Sequence, residues 1–538
     1  MIAHSLAIPI LALVLGVNSL AQRPASPQGP EAHLDLARRF LSARDLEKAS
    51  QQAAIALQLS PGMVEAEDLL GVVEALSGRL ENAERHFTRA LEIRPDFVPA
   101  HFNLARVYLN RGKSQMAARE LQTVTHLDPW NAGAHYYLGI LLQKSNRNQE
   151  ALSHFEKARM VEPKDVDLLI RLLESQLDLK RPDAEKTLQA IEGLLGDRDP
   201  RFLQLGGLLA SRGAYALAIA TFQKLLSVDP DSYDASYNLA LAYFLSKDNN
   251  KAETVLNRLL RQHNVAEAHN LLARVHEDSG EYLKALGQYE QAAVMEPTNE
   301  DYRFDFCFLL VKHRALKFAL SQLTRATEDF PKSARLRIIL GAAQFLKPNF
   351  DLALQELLQA IEADPSISQS YYYLGKIYEK VGQESQKKIM QKLRDYLALN
   401  PKDPWANYSY GVGLFQEQQR LGDAPDFSEA QTYLLKAIAL KSDLAPAYFS
   451  LGLLYYAQSR TAESIEQFQQ ASKASPQMHE AHYRLAIAYS KLGMKQESER
   501  ELHLHQKLRS ESADDLDKRR KEFFDIIPTM KSLSSQRH

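Results

Sequence analysis

The chain has 538 residues, and its 65 Lys and Arg against 67 Asp and Glu leave a formal charge of −2 at pH 7, so no net field draws it to nucleic acid. Its single cysteine, Cys307, excludes an internal disulfide in any compartment. A length that ordinarily implies several globular domains is taken up here by repetition: Pro61, Pro95, Pro129 and Pro163 lie 34 residues apart, and Pro297, Pro331 and Pro365 repeat the interval.

Residues 1–22 carry no Lys, Arg, Asp or Glu, Leu6 to Val17 is apolar except for Pro9, and Ser19-Leu20-Ala21 resembles a small-residue cleavage site. This predicts a signal peptide over 1–21 and a protein exported to the periplasm or beyond. The apolar core is about 12 residues where a spanning helix needs about 20, so no stable membrane span is expected after cleavage. The basic residues usual at the start of such a signal are missing, leaving only the amino terminus and His4. Residues 22–30, rich in Pro, Ser and Gln, read as a disordered spacer.

From residue 31 to 163 four units follow one another. The clearest is Asn131 to Pro163: Leu138, Gly139 and Leu142 share one face of a first helix, Lys144 to Asn148 make a turn, and Ala151, Phe155 and Ala158 recur at helical spacing on a second. Residues 164–200 keep a helical pattern that Lys180-Arg181-Pro182 interrupts, and are read as a degenerate repeat or a bend. Regularity resumes over 201–510, with Asn264 where a proline is expected and an insertion of about seven residues around Gly422 to Phe427. Roughly 480 periodic residues at 34 each give about 14 units. Residues 511–538 read as a charged helix and tail holding one apolar knot, Phe523 to Pro528.

One point of the first helix is always small: Gly71, Ala105, Gly139, Gly206, Ala240, Ala273, Cys307, Gly341, Gly375, Gly411, Gly452 and Ala486. Small side chains let two helices approach closely while larger neighbours fill the space, which places Cys307 in the core rather than in a reactive site. Tyr108, Tyr243, Tyr378, Tyr455 and Tyr489 follow the small residue by three positions. Together with the alanines of the second helix and the closing proline, these residues resemble the tetratricopeptide repeat family over nearly all of 31–510. The resemblance implies an all-α, right-handed superhelical solenoid whose first helices line a concave groove that commonly holds a peptide or protein segment.

By that geometry Phe102, Tyr136, Tyr237, Phe304, Tyr372, Tyr408, Phe449 and Tyr483 face the groove as an aromatic ladder, serving either a partner or the packing of the repeat itself. His101, His135, His269 and His482 precede the small position by four residues. Equivalent helices stand about 10 Å apart, too far for them to share one metal ion, so they are read as packing residues and no metal site or cofactor is expected. No three consecutive repeats supply the family's dicarboxylate clamp, although Asn103 and Asn238 sit where one of its asparagines would. No phosphate loop, nucleophile elbow or metal quartet stands out, and the residues after 510 leave no room for a catalytic domain. The expectation is a non-enzymatic bacterial scaffold for a protein or peptide partner, the alternative being a structural subunit of an envelope or secretion assembly; oligomeric state stays open.

Overall fold

The computed structural model describes residues 29–196, 199–313, 315–420 and 425–511. The expected signal peptide, most of the spacer before Pro30, and the apolar knot at Phe523 to Pro528 lie outside these residues. Among the described residues the chain is all-α, without strands, and its helices come in consecutive pairs. The first seven pairs are α1 and α2 (Pro30–Ser42, Leu46–Leu59), α3 and α4 (Val64–Leu76, Leu80–Ile93), α5 and α6 (Val98–Asn110, Ser114–Leu127), α7 and α8 (Ala132–Lys144, Asn148–Val161), α9 and α10 (Val166–Asp178, Ala184–Leu194), α11 and α12 (Arg201–Ser211, Tyr215–Val228), and α13 and α14 (Tyr233–Leu245, Asn249–Gln262). The next seven are α15 and α16 (Ala266–Asp278, Tyr282–Met295), α17 and α18 (Glu300–Lys312, Leu316–Asp329), α19 and α20 (Ala334–Leu346, Phe350–Ala363), α21 and α22 (Ser368–Ile377, Gln383–Leu399), α23 and α24 (Pro404–Arg420, Ser428–Leu440), α25 and α26 (Ala445–Ala457, Thr461–Ala474), and α27 and α28 (His479–Lys491, Lys495–Glu511).

These pairs form two compact units that meet at His263 and Asn264, where the closing proline is missing. Within each unit odd-numbered helices approach the next odd-numbered helix, as α3 does α5 and α17 does α19, while even-numbered helices stand further apart. Closer spacing puts the odd helices on the inner side of each solenoid and the even ones on the outer.

The small position governs this packing. A Cβ built on Gly71, Gly139, Gly206 or Gly452 would lie 2.4–2.6 Å from the ring of Phe87, Phe155, Phe222 or Phe468, in each case the side chain sixteen residues later. At Ala105 and Ala240 the later side chain is the smaller Leu121 or Leu256, whereas Ala273 is followed by Tyr289, all three 0% exposed. Cys307 follows the same rule with Leu323: its thiol is buried, and burial pushes it up to about 12. The core expectation for this cysteine is therefore met.

Seven residues after the small position the backbone turns left-handed. Gly78, Gly112, Gly213, Gly280 and Gly493 sit there with φ of 71–77°, and Arg44, Asn146, Lys180, Lys247 and Ser459 with φ of 53–66°. Glycine enters this region without steric cost, which is why it recurs in these turns. Lys180 holds the same turn, so Lys180-Arg181-Pro182 joins α9 to α10 instead of ending the pattern, and residues 166–194 form an ordinary pair with a shortened second helix. The longer units use extra turns: α22 and α23 each run 17 residues, and the chain makes a 3-10 turn at Tyr378–Lys380 before α22.

The recurrent histidines tie first helix to second. His33, His101, His269 and His482 bond through Nδ1 to Gln52, Glu120, Gln288 and Glu501 at 2.6–2.7 Å, and Arg337 reaches Glu356 at 3.1 Å, every pair nineteen residues apart. His101 and His135 also hold the carbonyls of Pro95 and Pro129 through Nε2, at 2.9 and 3.0 Å, anchoring the chain between repeats. Fixed by that bond, the neutral His135 ring keeps Nδ1 as an acceptor, and His154 donates its Nδ1–H to it at 2.8 Å. Burial, with the neighbouring His135 and Lys157, lowers His154 to about 4, whereas the carboxylate of Glu120 raises His101.

Two outcomes follow from this packing. Gly139→Leu drives a side chain into Phe155 and is expected to cost on the order of 1–3 kcal/mol in a urea titration. Between about pH 4 and 6.5 unfolded His154 binds a proton that folded His154 refuses, so its contribution makes stability rise with pH across that window. His154→Gln places the partner already used with His33 and His269, and is expected to remove about 1–3 kcal/mol of that slope when melting is compared at pH 4.5 and 7.

Candidate partner-binding surface

The inner layer is built from odd helices, so its side chains come from the ladder positions and from the residues one and two turns further along each odd helix. The ladder rings lie at joints between repeats. Phe102 meets the next first helix at Gly133, where a Cβ would stand 2.7 Å from its ring, and Tyr137 at 5.9 Å between centroids. Arg335 lies over Phe304 at 4.9 Å, and Trp405 packs edge-on against Tyr372 at 4.6 Å. The contacts with Gly133, Arg335 and Trp405 each join a ladder residue to the second residue of the following first helix, a pairing that the 34-residue period hides by splitting it between repeats.

Exposure along the ladder follows from what covers each ring. Phe304 is 1% and Tyr372 3% exposed, so neither offers surface to a partner. Phe102, Tyr136, Tyr237, Tyr408 and Phe449 are half-buried. Tyr136 sits among Tyr137 and Phe155 with Arg171 near its hydroxyl, and burial raises its pKa. Tyr237 stacks on Tyr233, Tyr408 stands edge-on to Trp405, and Phe449 leans on Phe468. Tyr483, on the last pair, is 43% exposed and touches His505. The structure does not gather these residues into one site.

It gathers a different set in the first unit, on the inner side of α3 and α5. Asn103, Arg106 and Asn110, spaced to share one face of α5, join Val72, Ala75, Leu76, Phe87 and Val107 around a cavity of about 40 Å³. A cavity needs on the order of 10–15 Å³ to hold a water, so this one has room for a small side-chain group. Beneath it Asn103 donates to Asp68 at 3.1 Å. Burial pushes the Asp68 carboxyl up to about 6, against the opposing pull of that bond and of Arg38. Arg106 is half-buried, its guanidinium 6.0 Å from the Phe102 ring, and has no ion-pair or hydrogen-bond partner among the described residues. A half-buried guanidinium with five donors and no acceptor is a ready anchor for a carboxylate or a backbone carbonyl. Of this group the sequence reading noticed only Asn103; the three-four spacing of Asn103, Arg106 and Asn110 was the signal that pointed to the rest.

The corresponding face of the second unit is internally satisfied. Asn270 donates to Asp305 at 3.1 Å, as Asn103 does to Asp68, but the nearby Glu277 already accepts from Tyr289 at 2.9 Å and from Lys312 at 2.6 Å.

Models described as tetratricopeptide repeat match residues 75–129 and 209–275, 34–96, 318–368, 419–478 and 449–502, and 356–389, together more than half of the chain. No curated protein matches the sequence at a significant level. Solved structures similar to it include the APC/C hetero-tetramer Cut9-Hcn1, at 15% identity over 85% of this chain and 96% of that one with a TM-score of 0.35. Yeast Tom70 is 16% identical over 87% of this chain and 96% of its own, with a TM-score of 0.36. YrrB, a TPR protein with an unusual peptide-binding site, is 24% identical over 35% of this chain and 96% of its own, with a TM-score of 0.29. Among the described residues no helix is long and apolar enough to cross a membrane.

The buried carboxyl beside the cavity has a measurable signature. From about pH 4 to 6 folded Asp68 keeps a proton that the unfolded chain has lost, so its contribution makes stability fall as pH rises through that window. Asp68→Asn is expected to add about 1–3 kcal/mol at pH 8 and nothing at pH 3.5, read from denaturant midpoints.

Proposed function

We propose that this chain, which belongs to the tetratricopeptide repeat family, is a protein-interaction scaffold that holds a segment of its partner on the inner face of the first unit. The observation that carries the reading is Arg106, a half-buried cation with no ion-pair or hydrogen-bond partner among the described residues, at the rim of an apolar cavity with Asn103 and Asn110 beside it. A segment suited to this site presents a small apolar side chain to the cavity and a carboxylate to Arg106, while the asparagine amides bond its backbone. Binding rather than catalysis is the proposed role, because the described residues are given over to helix pairs whose side chains pack one repeat on the next. The proposal places the mature protein outside the cytoplasm, supported by the uncharged apolar start and the Ser19-Leu20-Ala21 sequence.

Selection of a random peptide library against the full mature chain tests the site. Peptides enriched in an acidic residue next to a small apolar one are expected, and Arg106→Ala should weaken them about 10- to 100-fold by fluorescence anisotropy, the loss of a hydrogen bond to a charged group at about 1.5–3 kcal/mol. Helicity of the variant should be unchanged, since Arg106 makes no ion pair or hydrogen bond among the described residues and its one aromatic contact, with Phe102, is long at 6.0 Å. Peptides that bind wild type and variant equally would remove the site.

A further inference from the structure

Asp68, half-buried on α3, stands where the aromatic ladder would have its preceding rung, 34 residues before Phe102. It meets the residue 35 positions later, Asn103, as Phe102 meets Tyr137, so a carboxyl replaces a ring in the joint between α3 and α5. The same joint holds the cavity: Val72 lies one turn beyond Asp68 on α3, and Arg106 one turn beyond Asn103 on α5. A partner's carboxylate that comes to Arg106 therefore enters a space whose floor already carries a carboxyl.

We propose that Asp68 is a proton gate on that site: while it is neutral a partner's carboxylate settles on Arg106, and once ionised it repels that carboxylate and draws on the same guanidinium. Resting on Arg106 as the partner's anchor, the gate adds regulation to the site already proposed. Two carboxylates that share a site hold a proton between them, so binding takes one up. Burial, which pushes the Asp68 carboxyl up to about 6, brings the change of state into an ordinary pH range, while an exposed glutamate on the partner, at about 4.3, stays ionised. The gate is thus open from about pH 4.5 to 6 and closes above. The charges that face Asp68 are few. Arg38 of α1 favours its ionised form and Glu65 of its own helix opposes it. After Lys48, α2 carries only uncharged side chains. On α4 His86 is taken by Glu67 and Arg94 by Glu65, and on α5 His101 is taken by Glu120.

The probe is the acetylated and amidated peptide Ala-Glu-Ala-Ala, with Ala-Gln-Ala-Ala as its uncharged control. Both are titrated calorimetrically into the full-length chain and its Asp68→Asn and Arg106→Ala variants, at about pH 5 and pH 7.5. Wild type is expected to bind the glutamate peptide about tenfold more tightly at the lower pH, and near pH 6 to take up a proton, read from the heats in two buffers of different ionisation enthalpy. The glutamine peptide should show no such dependence. Asp68→Asn is neutral at every pH and still gives Asn103 an acceptor, so it should bind the glutamate peptide equally at both pH values, with the affinity that wild type reaches only in acid. Equal affinity of wild type at both pH values, or a wild-type slope retained in Asp68→Asn, overturns the gate and leaves the Arg106 site standing. A glutamate peptide that does not bind at pH 5, or that Arg106→Ala binds as well as wild type does, overturns the site and the gate with it. Proton uptake is measured on wild type alone, so the proposal stays exposed to refutation even if Asp68→Asn fails to fold.

Discussion

The regular pairs of this chain rest on one close approach: the small residue of the first helix against the side chain sixteen positions later, a spacing that the longer units at Gly375 and Gly411 abandon, for Ser409 and Leu434. Glycine there admits a phenylalanine ring, as at Gly139 with Phe155, and alanine is accompanied by leucine, as at Ala105 with Leu121. The pairing varies along the chain, with Ala273 followed by Tyr289 and Gly341 by Leu357, and in each case the later side chain is fully buried, as native packing density requires of an interior with no room to spare. Because the same side chain also meets the next first helix, this one contact sets both the geometry within a pair and the pitch between pairs. Stability then propagates as nearest-neighbour terms, and no distant core compensates for a local error.

A polar framework fixes the register that the apolar contact alone leaves loose. The residue four before the small position bonds the second helix nineteen residues on and, at His101 and His135, the carbonyl of the preceding closing proline. The partners vary among glutamate, glutamine and histidine while the geometry does not, so the position tolerates different charge states. His154 is the exception that responds to acid. Burial beside His135 holds it neutral, whereas His101 is favoured as a cation by Glu120. These histidines are structural tethers, and their regular recurrence reflects the repeat.

Pair boundaries, the small position and the core place of Cys307 were legible in the sequence because each depends on residues within one period. The turn at Lys180 was not, since a lysine carries no mark of a left-handed backbone and the adjacent Pro182 suggested a break. The ladder was legible as a series and misleading as a surface. Whether a ring is exposed depends on the residue that opens the following first helix, and Gly133, Arg335 and Trp405 are too unlike one another to form a visible pattern. The cavity beside Arg106 was hidden for a related reason. It exists between α3 and α5, and a sequence shows which residues share a helix face more readily than which faces enclose a space.

The two units treat the same inner polar positions differently, and under the proposed function that difference is what sets specificity. In the second unit Glu277 draws on Tyr289 and Lys312, and Arg335 is engaged by Glu300 and Asp301, so the inner charges answer one another. A partner meeting that face would have to displace bonds already made, and would gain little for each one it replaced. In the first unit Arg106 has already lost part of its water to burial without gaining an acceptor, so a carboxylate brought to it meets a guanidinium whose desolvation cost is partly met by folding. An array whose repeats are alike in their packing residues can in this way confine recognition to one stretch, by leaving a charge uncompensated there and compensating its counterparts elsewhere.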